Sequence, residues 1–255
     1  MFVEYAIDFF TRHRDEPFFL YYPMALTHTP WDPTPDPNAP GQKTKGGIQA
    51  NTEYLDHIVG RIVSALDRLG LRENTILFFT GDNGTKQYGD MTSGKGSMTE
   101  LGAHVPLIVA GAGLRRGVVS DALVDLTDVF PTLAELSGAE MPSDRPIDGR
   151  SFAFALTGQP GQERDWIFAC LQDKRMMRDR RWLLQGDGQF FDCGDSRDGT
   201  GYKNVTESSD PEVVAARARF EEILKDLPAP ATQPKEAKGK GQRAKGNAKA
   251  AEAEE

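Results

Sequence analysis

In a sequence of 255 residues, cysteine is scarce: only Cys170 and Cys193 occur. They lack the CxxC spacing of a redox motif and the paired spacings of a zinc site, and nothing in the sequence decides whether they pair with each other. Long apolar runs are missing too, since none approaches the roughly 20 residues that a helix needs to span a bilayer. The N-terminus has no basic stretch followed by an apolar one, so we expect no signal peptide there.

Net positive charge is also lacking. The formal net charge is −8 at pH 7, and an acidic chain argues against nucleic acid as the main partner. Residues 228–255 differ from the rest, because Ala, Lys, Gly and Glu dominate there and large apolar side chains are almost missing. We expect that tail to be disordered. The remaining length can bury one good core, with room for a small second lobe.

One stretch carries the strongest local signal for a binding site. Thr75–Thr80 is short, apolar and rich in β-branched and aromatic residues, which indicates a strand buried on both faces. It leads into Gly81-Asp82-Asn83-Gly84, where the glycines permit a tight turn and the oxygens of Asp82 and Asn83 can project beyond the strand. A carboxylate beside an amide oxygen suits a hard cation such as Ca²⁺ or Mg²⁺. The alternative is an Asx turn that closes a strand and binds nothing.

Two basic side chains are candidates for the same site. Lys95 lies between Gly94 and Gly96 in a glycine- and serine-rich loop, which favours close approach of backbone and ammonium to an anion. His28 follows Phe18–Tyr22, which we predict to be a second buried strand, and it opens a proline-rich loop. Each also has a simpler interpretation, as a solvated lysine or histidine in a loop.

Residues 1–150 alternate between helical and strand-like apolar patterns. The predicted elements are a helix at 2–10, the strand at Phe18–Tyr22, a helix from a cap at Asn51 or Thr52 to Gly70, the strand at Thr75–Thr80, a strand at Val105–Ala110 and a helix from near Thr127-Asp128 to Gly138. Strands that alternate with helices indicate an α/β fold with a layered, mainly parallel sheet.

Beyond residue 150 the pattern changes. The short strand-like pieces Arg181–Leu184 and Gln189–Phe191 are separated by glycine turns, which predicts a small antiparallel sheet. Asp210-Pro211 then provides the cap and the first-turn proline of an amphipathic helix. We therefore predict an α/β part over 1–150, a small α+β part over 151–227 and the tail over 228–255.

Taken together, these motifs resemble the sulfatase family over roughly residues 2–226. They occur in the family's order, and such ordered co-occurrence is far more specific than any single motif. The matching segments are Phe18-Phe-Leu-Tyr-Tyr-Pro, Thr27-His-Thr-Pro-Trp, Asn74-Thr-Ile-Leu-Phe-Phe-Thr-Gly-Asp-Asn-Gly, Gly94-Lys95, Val105-Pro-Leu-Ile-Val, Asp128-Val-Phe-Pro-Thr-Leu and Asp148-Gly-Arg-Ser.

The resemblance implies an alkaline-phosphatase-like α/β fold and hydrolysis of sulfate esters. Carried over by position, it implies that Asp82 and Asn83 are ligands of a single Ca²⁺ site, with Mg²⁺ the less favoured ion. It likewise implies that Lys95 and His28 are catalytic and bind the substrate sulfate. Positive groups there would stabilise the charge that shifts toward the attacking and leaving oxygens. The family also suggests a periplasmic or secreted location for the full-length protein.

Several departures from the family pattern bear on activity. The family's Glu-Gly-Gly-x-Arg-Val-Pro reads Glu100-Leu-Gly-Ala-His104-Val-Pro here. More seriously, the chain lacks the family's aspartate pair, its Lys-x-His pair and its Cys/Ser-x-Pro-x-Arg, whose first residue becomes the formylglycine nucleophile. Two protein ligands would hold Ca²⁺ weakly, because it normally takes 6–8 oxygens. We therefore expect the C-terminal part of a sulfatase, inactive alone, with the missing N-terminal sulfatase segment as its partner.

Two other functions stay open. One is a non-catalytic module that keeps part of an anion and metal site, which would bind sulfate as a folded monomer. The other is a phosphate-ester hydrolase of the wider alkaline phosphatase superfamily. That reaction would need a Ser or Thr nucleophile upstream and usually two metals, whereas the single Asp82-Asn83 pair points to one.

Overall fold

The computed structural model describes residues 2–85, 94–196 and 199–227 in full, and the backbone alone of 87–88 and 91–92. These residues form two compact units: unit 1 comprises those up to Ile167 together with Gly199, and unit 2 comprises the others. The change of unit at Ile167 falls later in the chain than the division that the sequence pattern places at residue 150. The tail over 228–255, predicted to be disordered, lies outside the described residues. No helix in the described ranges is both long and apolar enough to span a bilayer.

Two helices build the main core of unit 1. The opening residues form α1, Phe2–Arg12, and the predicted apolar stripe forms α2, Ile48–Arg68. Helix α2 begins before the predicted cap at Asn51 or Thr52. Asn51 is instead buried in the first turn of the helix, where its Nδ2 donates to the carbonyl oxygen of Gly47. Gly70 turns the chain beyond the other end with a φ of 70°, which confirms it as the terminator. The buried side chains of this core are Val3, Ala6, Phe10, Ile58, Ile62 and Leu66.

Unit 1 contains two separate two-stranded sheets. Strand β1, Ile76–Thr80, and strand β4, Leu107–Gly111, lie close to their predicted positions. They pair antiparallel, with Phe78 opposite Val109, so the predicted mainly parallel sheet is not confirmed. Between them the structure describes a short hairpin, β2 at Gln87–Tyr88 with β3 at Met91–Thr92, and α3, Glu100–Ala103. Within the described part of that connection no long helix crosses the sheet, as a parallel connection normally requires.

Two predictions about burial in unit 1 are wrong. The side chains of β1 are half-buried or exposed rather than buried on both faces. Phe18–Tyr22 belongs to none of the three described sheets, and only alternate side chains of that segment pack against the helical core. The reason is that an apolar run specifies a buried strand only when neighbours cover both of its faces and pair with its backbone.

A second helical region of unit 1 begins with a 3₁₀ turn, Leu126–Asp128, which continues into α4, Val129–Ser137. Helix α4 ends at Gly138, whose φ is 71°, so the predicted helix from Asp128 to Gly138 is confirmed. A short helix, α5, follows at Ala153–Thr157.

A buried polar cluster ties this region together; we call Asp125, Asp128, Arg150 and Arg164 the Asp128 cluster. The Asp128 carboxylate accepts the backbone N–H groups of Asp125 at 2.8 Å and Arg150 at 2.7 Å. The Arg164 guanidinium pairs with it, with Nε 3.0 Å from Oδ2. Both charged side chains are buried, and the hydrogen bonds offset the cost of taking them out of water.

Unit 2 is a small sheet covered by a helix. Its strands are β5 at Ile167–Leu171, β6 at Lys174–Arg178, β7 at Trp182–Gln185, β8 at Phe190–Asp192 and β9 at Lys203–Asn204, in that spatial order. Strands β6 to β9 pair antiparallel, which confirms the predicted small antiparallel sheet. The closing helix, α6 at Pro211–Asp226, has the predicted cap, because the Asp210 carboxylate accepts the N–H of Glu212 at 2.8 Å. The two cysteines are not bonded to each other.

Candidate active site

The turn that follows β1 carries Asp82 and Asn83 beyond the end of the strand, as predicted. The N–H of Gly81 donates to the carbonyl oxygen of Pro106 at 3.3 Å, which holds the start of the turn against the segment before β4. Asp82 is exposed, and its Oδ1 accepts the N–H of Asn83 at 2.9 Å. Because this bond reaches only the next residue, it is not the Asx turn of the simpler interpretation, in which the side chain accepts an N–H two residues on. This hydrogen bond is compatible with a bound metal ion. The second carboxylate oxygen of Asp82 and the amide oxygen of Asn83 accept no hydrogen bond from the described residues.

Backbone hydrogen bonds bring Lys95 next to that turn. The N–H of Lys95 donates to the carbonyl oxygen of Thr85 at 2.8 Å, and the N–H of Gly84 donates to that of Gly102 at 2.9 Å. Thr85 lies two residues after Asn83, so the loop that bears Lys95 is attached directly to the end of the Asp82-Asn83 turn. The Lys95 side chain is exposed and accessible to an anion.

Three glycines make this attachment possible by their size. A Cβ atom on Gly84 would lie 1.8 Å from the carbonyl oxygen of Leu101, and one on Gly94 would lie 2.1 Å from that of Thr85. A Cβ on Gly102 would lie 2.3 Å from the carbonyl oxygen of Ser97. Any larger residue would therefore push the two backbones apart. Sequence reasoning assigned Gly84 to a tight turn and Gly94 to anion approach, and it did not single out Gly102. The available signal was its place in Glu100-Leu-Gly-Ala-His104, the stretch that corresponds to the family's Glu-Gly-Gly-x-Arg.

His28 lies in a proline-rich loop that makes several internal hydrogen bonds. The indole Nε1 of Trp31 donates to the carbonyl oxygen of Thr27 at 2.9 Å, and the N–H of Gly47 donates to that of Trp31 at 3.0 Å. His28 Nδ1 lies 2.6 Å from the carbonyl oxygen of Thr29. Because a carbonyl oxygen only accepts, Nδ1 carries the proton, and Nε2 remains for a ligand. His28 is exposed.

The structure does not join all four candidate residues. Among the described residues, no hydrogen bond or ion pair links His28 to Asp82, Asn83 or Lys95. His28 instead follows the segment whose inner side chains share a core with Leu77 of β1. One of those inner side chains is Tyr22, whose pKa is raised by burial and, to a smaller extent, by Tyr54. The arrangement thus attaches Lys95 to the Asp82-Asn83 turn and leaves His28 on a separate loop of the same unit.

The candidate metal ligands do not make a complete site on their own. Ca²⁺ takes 6–8 oxygen ligands, whereas no group of three or more His, Cys, Asp or Glu side chains suited to a metal occurs in the ranges that the structure describes. Asp82 and Asn83 can contribute only a minority of the ligands. A calcium ion bound here would need further oxygens from outside the described residues.

Two hydroxyl groups that follow Lys95, those of Ser97 and Thr99, are structural. Ser97 Oγ donates to the carbonyl oxygen of Gly94 at 2.8 Å and lies 2.8 Å from Thr99 Oγ1. Ser97 therefore stabilises the turn that carries Lys95 and is not placed as a nucleophile. Glu100, which follows Thr99, is buried at 6% exposure. The sequence analysis noted it only as part of a motif.

A pocket of about 400 Å³ lies elsewhere in unit 1. None of the four candidate residues lines it. Its lining comes from α4, α5 and the segments on either side of α5: Glu135, Arg150, Ser151, Phe154, Gly161 and Gln162. The predicted site is formed by a strand end and loops outside this pocket.

Comparison with known proteins gives a family and a fold. The family model described as Sulfatase matches residues 1–139. The chain is 35% identical to the steryl-sulfatase of Mus musculus over 175 residues, which is 63% of this chain and 28% of that protein. A structure solved in work on glycosaminoglycan metabolism by Bacteroides thetaiotaomicron matches with a TM-score of 0.70 at 26% identity, covering 88% of this chain and 53% of that one.

A third match shares the fold alone. A phosphonate monoester hydrolase from Silicibacter pomeroyi aligns with a TM-score of 0.58 at 24% identity over 70% of this chain and 40% of that one. In all three comparisons the chain spans well under two thirds of the matching protein.

Proposed function

As this chain belongs to the sulfatase family, we propose that it is the anion-holding part of a sulfuric ester hydrolase and acts together with a further sulfatase segment. One observation carries the proposal: the hydrogen bond from Lys95 N–H to Thr85 attaches the lysine to the turn that bears Asp82 and Asn83. The likeness to a steryl-sulfatase supports the reaction class. The need for a further segment is supported by the 28% and 53% of the matching proteins that this chain spans.

Lys95 and His28 are proposed to bind the sulfate group. Hydrolysis breaks a sulfur–oxygen bond, and negative charge develops on the departing oxygen. A positioned ammonium such as that of Lys95 stabilises this charge more than it stabilises the ground state, which lowers the barrier. His28 meets the substrate through Nε2, since Nδ1 is bound to Thr29. In its imidazolium form, Nε2 donates a hydrogen bond to a sulfate oxygen.

The nucleophile and most of the metal ligands are proposed to come from the further segment. The 255 residues contain no Cys or Ser followed by x-Pro-x-Arg, so this chain does not supply the formylglycine. Asp82 and Asn83 are proposed to contribute oxygen ligands to a single Ca²⁺, which requires several more. When bound, the ion would neutralise part of the sulfate charge. For the chain alone we expect no turnover of aryl sulfate above background.

Two other functions have an observation in their favour. The shared fold with a phosphonate monoester hydrolase favours hydrolysis of phosphorus esters, because one fold can carry several chemistries. The incomplete set of metal ligands among the described residues favours a module that binds anions without catalysis. A single experiment separates both from the sulfatase proposal.

The experiment joins an upstream sulfatase segment, carrying its aspartate pair and Cys-x-Pro-x-Arg, to the N-terminus of this chain in one polypeptide. It is produced together with a formylglycine-generating enzyme, and turnover of aryl sulfate and aryl phosphate is measured. We expect hydrolysis of the sulfate, with kcat lowered about 100-fold by Lys95→Ala. Lys225→Ala, an exposed lysine of α6, is the control and should leave kcat unchanged.

Other outcomes point to the alternatives. Faster turnover of aryl phosphate than of aryl sulfate would favour the phosphorus-ester hydrolase. Sulfate binding without turnover of either ester would favour the non-catalytic module. Equal kcat for Lys95→Ala and Lys225→Ala would show that Lys95 does not contribute to the reaction.

A further inference from the structure

The pocket of about 400 Å³ in unit 1 has one wall that two buried side chains hold in place. The Asp128 carboxylate accepts the backbone N–H of Arg150 at 2.7 Å, and the Thr132 hydroxyl accepts that of Phe152 at 2.9 Å. Both accepting side chains are buried. The segment that contributes Arg150 and Ser151 to the pocket is therefore fixed by the fold itself.

Helix α5 and the chain after it form a second wall. Gly161 lies so close to Phe154 that a Cβ atom on it would be 2.3 Å from the Phe154 Cβ atom. A larger residue at position 161 would therefore displace the Phe154 side chain or the loop. Phe154 is half-buried and lines the pocket, so it provides an apolar aromatic surface beside the polar groups.

Two side chains of opposite charge line the pocket, those of Glu135 on α4 and Arg150. Among the described residues, neither makes a side-chain hydrogen bond or an ion pair, with the other or with any third residue. The amide of Gln162, which also lines the pocket, is likewise without a partner in those ranges. By contrast, Asp128 and Arg164 in the same region pair with each other. One negative group, one positive group and one amide are thus available to a ligand.

We propose that this pocket binds a small zwitterion with an apolar part, of the kind represented by an amino acid or a short peptide. The Arg150 guanidinium pairs with the carboxylate of the ligand, for which its planar fork of N–H donors is suited. Glu135 accepts hydrogen bonds from the ammonium group of the ligand. The apolar part lies against Phe154, and the amide of Gln162 offers a donor and an acceptor to the polar end.

The charges of the pocket favour this class over simpler ligands. An anion without a positive group would pair with Arg150 but would be repelled by Glu135, and a simple cation would have the reverse difficulty. A purely apolar ligand would cover both charges without supplying a partner, which is costly. A zwitterion pairs with both. The pocket volume lies within the range of about 300–1,000 Å³ that is usual for small-molecule sites.

This inference goes beyond the proposed function and does not depend on it. The residues that line the pocket do not include His28, Asp82, Asn83 or Lys95, and the ligand class carries no sulfate ester. Binding here and hydrolysis of sulfate can therefore succeed or fail separately.

The test titrates the full 255-residue chain with two zwitterions, followed by two-dimensional NMR so that the affected backbone amides are identified. The probes are L-phenylalanine and the dipeptide L-phenylalanyl-L-leucine, whose charged groups lie further apart. We expect at least one of them to bind with a Kd of about 1 mM or tighter and to shift the amides of residues 150–154 and 161–162. The tighter probe then shows which charge separation the pocket accepts.

Two analogues remove one charge each. 3-Phenylpropionate lacks the ammonium group and 2-phenylethylamine lacks the carboxylate, and both should bind at least tenfold more weakly than the better zwitterion. Arg150→Gln keeps the backbone N–H that Asp128 accepts and should weaken binding of the zwitterion at least tenfold. Glu135→Gln should do the same, since each variant removes one of the two charge pairs.

The matched control is Arg145→Gln. Arg145 is an exposed arginine of unit 1 that pairs with Asp144 and does not line the pocket, so its replacement should leave Kd unchanged. Unchanged thermal unfolding of the free variants would confirm that they fold. The proposal is overturned if neither zwitterion binds, or if the shifted amides lie away from the pocket. Equal Kd values for the zwitterion and both analogues, or for Arg150→Gln and Arg145→Gln, overturn it as well.

Discussion

The sheets of the two units are buried to very different degrees. In unit 2, Trp182, Leu183 and Leu184 of β7 are all buried, and Phe220 of α6 is completely buried at 0% exposure against Phe190 of β8, with ring centroids 6.0 Å apart. In unit 1, the residues of β1 and β4 are half-buried or exposed. The sheet that carries the candidate site is therefore the less covered one.

This difference shows which forces hold each unit together. Unit 2 buries an apolar sheet face under its own helix, and burial of that kind is the main source of stability in a small domain. Unit 1 depends on the core between α1 and α2 and on the Asp128 cluster. Its sheet contributes less, because half-exposed strands remove less apolar surface from water. The units should thus respond differently to matched substitutions.

The largest expected effect is a cavity in unit 2. Phe220→Ala removes a fully buried ring, and we expect it to lower the free energy of unfolding of unit 2 by about 3–5 kcal/mol. Phe78→Ala is the counterpart in unit 1, where the ring is half-buried and lies 6.3 Å from Phe152 between ring centroids. Its effect should be clearly smaller. Urea titration followed by hydrogen exchange in each unit measures both, and equal losses would contradict the comparison.

Breaking the Asp128 cluster should lower the free energy of unfolding of unit 1 by a somewhat smaller amount, about 3 kcal/mol. Asp128→Asn removes the negative charge and leaves the buried guanidinium of Arg164 without its counter-ion. The control is Asp8→Asn, because Asp8 pairs with Arg12 at the surface, where both side chains are 59% exposed. That pair should contribute less than about 1 kcal/mol. If the two variants unfold at the same urea concentration, unit 1 does not depend on its polar cluster.

The smallest expected effect is on the pH dependence of the stability of unit 2. The pKa of Asp192 is lowered chiefly by the hydrogen bond from Arg181, against an opposing effect of burial. A carboxylate whose pKa is lowered by folding stabilises the fold above its unfolded pKa, about 3.9, and that contribution is lost as the pH falls through the folded-state pKa. Since Arg181 is 43% exposed, the contribution should stay below about 1 kcal/mol.

The measurement compares the stability of unit 2 at pH 6 and pH 2.5 in the wild-type chain and in Asp192→Asn. We expect the variant to lose less stability on acidification, because it has no carboxylate to protonate at that position. Asp144→Asn is the control, since the pKa of Asp144 is also lowered, by Arg145, but in an exposed pair of unit 1. An acid dependence in Asp192→Asn equal to that of the wild type would contradict the assignment.

Much of the local structure could be predicted from the sequence. The terminating glycine of α2, the extent of α4 and the Asp210 cap of α6 depend on residues close in the chain, so their signals survive without tertiary context. The positions of β1 and β4 were predicted for the same reason. Their pairing direction and the burial of Phe18–Tyr22 were not, because both depend on which segments lie beside them.

For the candidate site, the sequence by itself determined the chemical groups: a carboxylate and an amide after one strand, a lysine between glycines, and a histidine after another apolar segment. Only the tertiary structure decided how they are placed. Backbone packing at Gly84, Gly94 and Gly102 attaches Lys95 to the Asp82-Asn83 turn. The segments in contact are separated in the chain, so the contact is not visible in the sequence. The tautomer of His28 likewise follows from its contact with Thr29. Residue type sets which interactions are available, and the fold selects among them by bringing distant backbone segments within contact distance.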